Sequence, residues 1–213
     1  MKSKEDSLKY LEKFNIDDFV SPIKEYFNPW QIENELELRQ QEKSVKKIIE
    51  ILLNTDRIFT HGVGRSKLAV LDTGMRLMHL GYLMYEVGHP YQPAMGNDNR
   101  YKDTMYAASG SGKTTFVTSV ATKAKENGVP IIAITSNANS PLAELATEKI
   151  ITKGKEIIPN GQPIPPEHEQ PINFLQTKSE DKARYIGNML INYIAKAKGI
   201  TEDEMRKRHS NVE

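Results

Sequence analysis

A strand-forming run ends at Ala108 and passes through Ser109-Gly110-Ser111-Gly112 into a helical pattern. This step from strand to helix is typical of α/β folds. The first N–H groups of a helix are unpaired and lie at the positive end of its dipole, so such a turn attracts anions. Glycine lets the backbone approach a ligand, and the hydroxyls of Ser109, Ser111 and Thr114 add donors. The run therefore predicts a phosphate-binding turn.

Two other interpretations of this run stay open. An ordinary strand-to-helix turn with a Ser or Thr cap would contain the same residue types. Gly112-Lys113-Thr114 also matches the second half of a nucleotide-binding P-loop, but that motif has a glycine where this chain has Ala107. No later strand ends in a convincing magnesium-binding aspartate, which argues further against a nucleotide hydrolase.

The composition excludes several other classes of protein. The chain has 213 residues, 38% hydrophobic and 27% charged, which suits one medium-sized α/β domain with appendages. Its formal net charge of +1 gives no sign of a nucleic-acid-binding surface. There are no cysteines, and hence no disulfide framework and no thiolate metal site. Because no apolar run approaches membrane-spanning length, we expect a cytoplasmic protein without a membrane partner.

Strand and helix patterns alternate along most of the chain. Such alternation predicts right-handed crossovers and a parallel sheet covered by helices on both faces, with ligands at the carboxyl ends of the strands. The turns at 62–66 and 109–114 would both lie at that edge, which favours a phosphorylated small molecule. Strands are predicted at 57–61, 83–87, 104–108, 130–135 and 149–152, helices at 35–53, 179–198 and 201–207, and a loop at 154–171.

The first 33 residues differ from the rest of the chain. They contain short amphipathic pieces interrupted at Pro22 and Pro29. We predict that residues 1–33 form an N-terminal helical extension, with contact to a partner subunit as its candidate role, and that residues 34–213 form the main domain.

Several segments together carry a resemblance to a known family. They are Gly62-Val63-Gly64-Arg65-Ser66, the segment from Met75 to Gly81, the segment from Ala108 to Thr114, Ile132-Ala133-Ile134-Thr135 and Ser140-Pro141-Leu142-Ala143. In combination they closely resemble the sugar isomerase (SIS) domain, and within it the 6-phospho-3-hexuloisomerases. The resemblance implies a flavodoxin-like three-layer α/β sandwich with a five-stranded parallel sheet flanked by helices. It also implies a homodimer or homotetramer with active sites near subunit contacts.

The resemblance implies a sugar phosphate as the ligand and no metal or organic cofactor. Its phosphate would be bound by Ser109, Ser111 and Thr114, with Ser66 lining the same site and Gly64 and Arg65 in the adjoining turn. For Arg65, a phosphate and a carboxylate of a neighbouring subunit are equally good partners.

The chemistry that the resemblance implies is aldose–ketose isomerisation, here the interconversion of 3-hexulose 6-phosphate and fructose 6-phosphate. A carbonyl moves one carbon along a sugar when a base removes a proton and returns it to the neighbouring carbon through an enediol. The family's base lies at the start of the penultimate helix. In this chain that position is Glu180, with Asp181 as the fallback. An acidic residue in a first helical turn is also explained by the helix dipole alone.

A second group is useful for ring opening, and a histidine titrates in the right range. His209 is the first choice because it belongs to the Arg-His ending that resembles the family's terminus, but it could equally cap a helix. His79, among apolar neighbours, is expected in the core or at an interface. For His61, at the end of a strand, the sequence does not decide.

Several positions depart from the family's pattern. Lys67 replaces the usual glycine, and the segments 88–100 and 154–179 are altered or long. These changes lie on the sugar side of the predicted pocket. They leave a second hypothesis open, a non-catalytic phosphosugar sensor, although residues 1–33 are too short and too little basic for a DNA-binding helix-turn-helix.

Overall fold

A computed structural model describes residues 3–20, 37–152 and 177–212 of the chain. Within these residues five strands form one parallel sheet in the order β2-β1-β3-β4-β5. The strands are β1 (Arg57–His61), β2 (Leu83–Glu86), β3 (Asp103–Ala108), β4 (Ile131–Thr135) and β5 (Glu148–Ile151). All five were predicted from the sequence to within one or two residues at each end.

Helices precede, connect and follow these strands. In chain order they are α1 (Lys4–Glu12), α2 (Ile16–Val20), α3 (Glu42–Leu53), α4 (Arg65–His79), α5 (Thr115–Glu126), α6 (Pro141–Leu145), α7 (Thr177–Lys198) and α8 (Glu202–Arg206). The predicted loop 154–171 lies outside the described residues. Among the described helices, none combines the length and the apolar composition needed to cross a membrane.

The sheet separates two hydrophobic cores. Side chains alternate along β3, so Met105 and Ala107 pack with α5, while Tyr106 and Ala108 belong to the core on the opposite face. That second core also contains apolar side chains of α3, α4 and α7. Two helical layers therefore enclose the sheet, and the predicted three-layer α/β sandwich is confirmed.

The helix predicted over 35–53 is interrupted in the structure. Residues 37–40 are helical, Gln41 is a turn, and α3 starts at Glu42. The Gln41 amide explains the break: its Nε2 donates to the Ile151 carbonyl at 2.8 Å and its Oε1 accepts from the Ile151 N–H at 2.7 Å. The side chain thus forms with the edge strand β5 the two hydrogen bonds that a neighbouring strand would form.

Helices α1 and α2 pack against α7 of their own chain. Phe19 is buried, and its ring, like that of Phe14, lies about 6 Å or less from the ring of Tyr193. Helices α1 and α2 thus pack on the core of their own chain, and contact of this segment with a partner subunit stays a prediction. Residues 21–36 lie outside the described part, so the predicted boundary between residues 33 and 34 stays a prediction.

Helices α4 and α7 cross at a glycine. A Cβ atom at Gly187 would lie 2.0 Å from the Thr73 hydroxyl oxygen, which no real contact allows. The absence of a side chain at Gly187 therefore sets how closely the two helices approach. This crossing matters for the site, because α4 and α7 each begin at the carboxyl edge of the sheet.

Candidate functional site

The two predicted turns leave the sheet side by side. β1 and β3 are neighbours, and His61 at the end of β1 pairs with Ala107 near the end of β3. The chain then enters α4 through residues 62–64 and α5 through residues 109–114. Two helix N-termini consequently lie at the same edge of the sheet, as the sequence predicted, and both present positive dipole ends there.

The turn after β3 is held by its own hydroxyls and by β4. The Ser109 N–H donates to the Ile134 carbonyl at 3.0 Å, and the Ser109 and Thr114 hydroxyl oxygens are 3.1 Å apart. The Gly112 N–H donates back to the Ser109 carbonyl at 3.0 Å. Although Thr114 occupies the N-cap position of α5, its side chain does not cap the helix. The Thr114 side chain therefore leaves the first backbone N–H groups of α5 able to donate hydrogen bonds to an anion.

Gly112 is required at its position for two reasons. Its φ of 63° lies in the left-handed region, and an added Cβ would lie 2.0 Å from the Ser140 Oγ. Ser140 in turn caps α6, because its Oγ accepts a hydrogen bond from the Ala143 N–H. The turn is thus seated against the start of the next helix.

The turn after β1 is equally tight. A Cβ at Gly62 would lie 2.9 Å from the Lys67 backbone nitrogen, so the loop can lie against the first turn of α4 only as glycine. Gly64 precedes α4 with a φ of 58° and offers no side chain to cap it. Ser66, in the first turn, is half-buried.

Glu180 meets this turn from α7. The Arg65 Nε donates a hydrogen bond to the Glu180 Oε2. The Arg65 side chain is 61% exposed and that of Glu180 only 13%, so the carboxylate lies under the guanidinium. The hydrogen bond to Glu180 raises the pKa of Arg65. Of the two partners considered for Arg65, the structure thus gives a carboxylate, and it belongs to the same chain.

A second ion pair borders the same turn. The Lys67 ammonium contacts the Glu86 carboxylate at the end of β2. Lys67 is the residue that replaces the family's usual glycine, so its charge is balanced by an acid of the neighbouring strand. The partner of this lysine was not predicted from the sequence.

His61 is buried between the two turns. Its ring contacts Phe116 edge-on, with centroids 4.8 Å apart, and its Nε2 lies 3.4 Å from the Phe116 carbonyl oxygen. Burial lowers the pKa of His61, the largest of several effects on it. Burial therefore favours the neutral form of the imidazole.

His209 lies elsewhere. Its ring is 5.2 Å from that of His79, and the neighbouring Arg208 donates to the His79 carbonyl at 2.8 Å. His79 ends α4, whereas Arg65 begins it, and a helix of 15 residues is about 22 Å long. Within one chain, the structure does not bring His209 together with Glu180. His79 itself is buried, in agreement with the packing expected for it.

A cavity of about 660 Å³ lies at the opposite edge of the sheet. It is lined by residues at the amino ends of the strands, among them Thr104, Pro130 and Glu148. None of the predicted site residues contributes to it. Within the described ranges, no group of three or more His, Asp or Glu side chains could hold a metal ion.

The chain belongs to the SIS domain family, whose sequence profile matches residues 51–164. The match covers both turns and β1 to β5. This confirms the family to which the sequence motifs pointed.

Individual relatives are similar over most of the chain. A 3-hexulose-6-phosphate isomerase of Methylomonas aminofaciens is 32% identical over 167 residues, covering 78% of this chain and 86% of that protein. The crystal structure of a hypothetical protein from Methanococcus jannaschii, for which a function of 3-hexulose-6-phosphate isomerase was inferred, has a TM-score of 0.65 and 27% identity. That comparison covers 93% of this chain and 97% of the other.

A regulatory protein is also similar. An uncharacterised HTH-type transcriptional regulator of Clostridium perfringens is 28% identical over 113 residues, covering 53% of this chain and 40% of that protein. The proteins that are similar to this chain thus include both isomerases and a regulator.

Proposed function

We propose that this protein is a sugar-phosphate isomerase that interconverts 3-hexulose 6-phosphate and fructose 6-phosphate through an enediol. The observation that supports this most is the position of Glu180, a shielded carboxylate in contact with the first of the two anion-binding turns. The similarity to 3-hexulose-6-phosphate isomerases over most of the chain supports the same substrate.

In the proposed mechanism, the turn at 109–114 and Ser66 bind the phosphate, which anchors one end of the sugar. Glu180 then removes the proton from the carbon next to the carbonyl, and the electron pair forms the enediol. The hydroxyl proton on that carbon passes to the former carbonyl oxygen, and the same carboxyl returns the abstracted proton to the former carbonyl carbon, so the carbonyl has moved by one position. Charge develops on the carbonyl oxygen during this transfer, and the dipoles of α4 and α5 favour negative charge at this edge.

The direct test is Glu180→Gln, assayed in both directions, with 3-hexulose 6-phosphate and with fructose 6-phosphate as the substrate. We expect kcat to fall by about 10²- to 10⁴-fold, since general-base catalysis contributes that much. Binding of fructose 6-phosphate, measured by calorimetry, should persist. Wild-type activity retained by Glu180→Gln would refute the assignment. His209→Ala belongs in the same assay, and an unchanged kcat would remove His209 from the mechanism.

The second candidate function is a phosphosugar sensor without catalysis. The similarity to an HTH-type regulator favours it, as do the altered segments on the sugar side. This candidate predicts that fructose 6-phosphate stabilises the wild-type protein against heat without being converted. Turnover by the wild type would exclude it.

We also propose that the protein is a homodimer or homotetramer in the cytoplasm. α4 carries large apolar side chains that stay exposed on one face, and Leu68, Met75 and Met78 follow one another at spacings of seven and three residues. An exposed apolar stripe of this kind is typical of a protein interface. His209 could reach an active site only if the oligomer brought it there from another subunit.

A further inference from the structure

The contact between Arg65 and Glu180 joins the two elements on which the proposed chemistry depends. Arg65 is the first residue of α4, and Glu180 lies in the first turn of α7. They are 115 positions apart in sequence, so the contact exists only because the two helices start at the same edge of the sheet.

In this contact Arg65 occupies only one of the two carboxylate oxygens of Glu180. Arg65 donates from Nε, and the acceptor is Oε2 of Glu180. A bidentate arrangement would occupy both carboxylate oxygens. The hydrogen bond seen here holds one oxygen, and a base that takes and returns a proton needs only the other.

Both partners lie on backbone that is closely packed. The tight approach at Gly62 fixes the backbone that leads to Arg65, and the crossing at Gly187 fixes α7 against α4. A glutamate side chain alone has three rotatable bonds, so its carboxylate could occupy many positions. The hydrogen bond from Arg65 restricts it to fewer of them.

We propose that Arg65 is a positioning residue for Glu180. It holds Oε2 so that Oε1 faces the reacting carbons of the bound sugar. This inference rests on the proposed isomerase function, and it assigns Arg65 to the carboxylate instead of the substrate phosphate.

The test compares Arg65→Ala with Arg184→Ala. Arg184 is a matched control because it also joins α7 to α4, through Asp72 at 3.4 Å, and its side chain is 58% exposed. We expect Arg65→Ala to lower kcat about 100-fold and to change KM by less than about threefold. Arg184→Ala should leave both constants unchanged, and the two variants should have the same Tm.

Two further measurements separate positioning from a structural role. Guanidinium ion at a millimolar, non-denaturing concentration should restore part of the kcat of Arg65→Ala. In a Glu180→Gln background, Arg65→Ala should cause no further loss, because the base that it positions is absent.

Several results would overturn the inference. If KM and the Kd of inorganic phosphate rise while kcat is kept, Arg65 is a phosphate ligand. A kcat loss that guanidinium does not restore, a Tm below that of Arg184→Ala, or a further loss in the Glu180→Gln background assigns it another role. An active wild type with an unaltered Arg65→Ala kcat removes this inference alone, whereas an inactive wild type removes the isomerase function as well.

Discussion

The residue whose substitution tests the proposed phosphate-binding turn most directly is a glycine. Gly112 combines a left-handed backbone with a position against Ser140 that leaves no room for a side chain. Gly128 also has a left-handed φ, 70°, but an added Cβ would meet nothing within 4 Å. The two glycines therefore separate backbone strain from steric overlap.

Gly128→Ala should cost only the left-handed strain, about 1–2 kcal/mol. Gly112→Ala should cost this strain and a further 1–3 kcal/mol, roughly, for overpacking against Ser140. Chemical denaturation of both variants measures these free energies of unfolding. Gly112→Ala should also weaken fructose 6-phosphate binding, because the turn must shift away from Ser140. Equal stability of the two variants would show that the turn adapts without cost.

Hydroxyl side chains at the turn illustrate what residue identity alone can predict. Ser109, Ser111 and Thr114 were predicted as phosphate ligands from their type and spacing. In the structure, Ser109 and Thr114 contact each other, and the Ser111 hydroxyl accepts from the Lys113 N–H at 3.2 Å. These bonds shape the turn, and the role of the three residues toward a phosphate stays a prediction.

Among the helices and strands, the crossing of α4 and α7 has the largest consequence for the site. Gly187→Ala would force Thr73 aside or separate the two helices, and with them Arg65 and Glu180. Alanine favours helix by up to about 1 kcal/mol over glycine, so helix propensity predicts stabilisation. The 2.0 Å overlap with Thr73 predicts the opposite sign.

We expect Gly187→Ala to lower the free energy of unfolding by about 1–3 kcal/mol, the usual cost of overpacking. Asn188→Ala, at the next and exposed position of α7, is the matched control and should be neutral or slightly stabilising. Adding Thr73→Ala to Gly187→Ala should recover part of the loss, because it removes the overlapping atoms. A double mutant with additive losses would contradict the steric explanation.

For the whole molecule, the exposed stripe on α4 predicts self-association. Leu68→Glu together with Met75→Glu would introduce charges where apolar side chains are proposed to meet another copy of the chain. Light scattering coupled to size exclusion should show a smaller assembly than for the wild type. Val212→Glu is the control, because Val212 is 90% exposed at the chain end. An unchanged assembly in the double variant would place the interface elsewhere.

The sequence by itself determined most of the elements, the parallel sheet and the family. Strands and helices follow from local periodicity, and turn residues such as Gly62 and Gly112 act over a few positions. Because parallel strands share one carboxyl edge, the position of both proposed anion-binding turns also followed without coordinates. The helix predicted at 201–207 is present as α8, and a capping box of Thr201 and Glu204 opens it.

Only the tertiary structure decided which distant residues meet. Arg65 and Glu180 are 115 positions apart, and Gln41 and Ile151 are 110 apart. No local pattern specifies such pairs, because they depend on how whole helices pack after the chain has closed around the sheet. The same packing separates His209 from Glu180 by the length of α4. The Arg-His motif that contains His209 could not predict this separation.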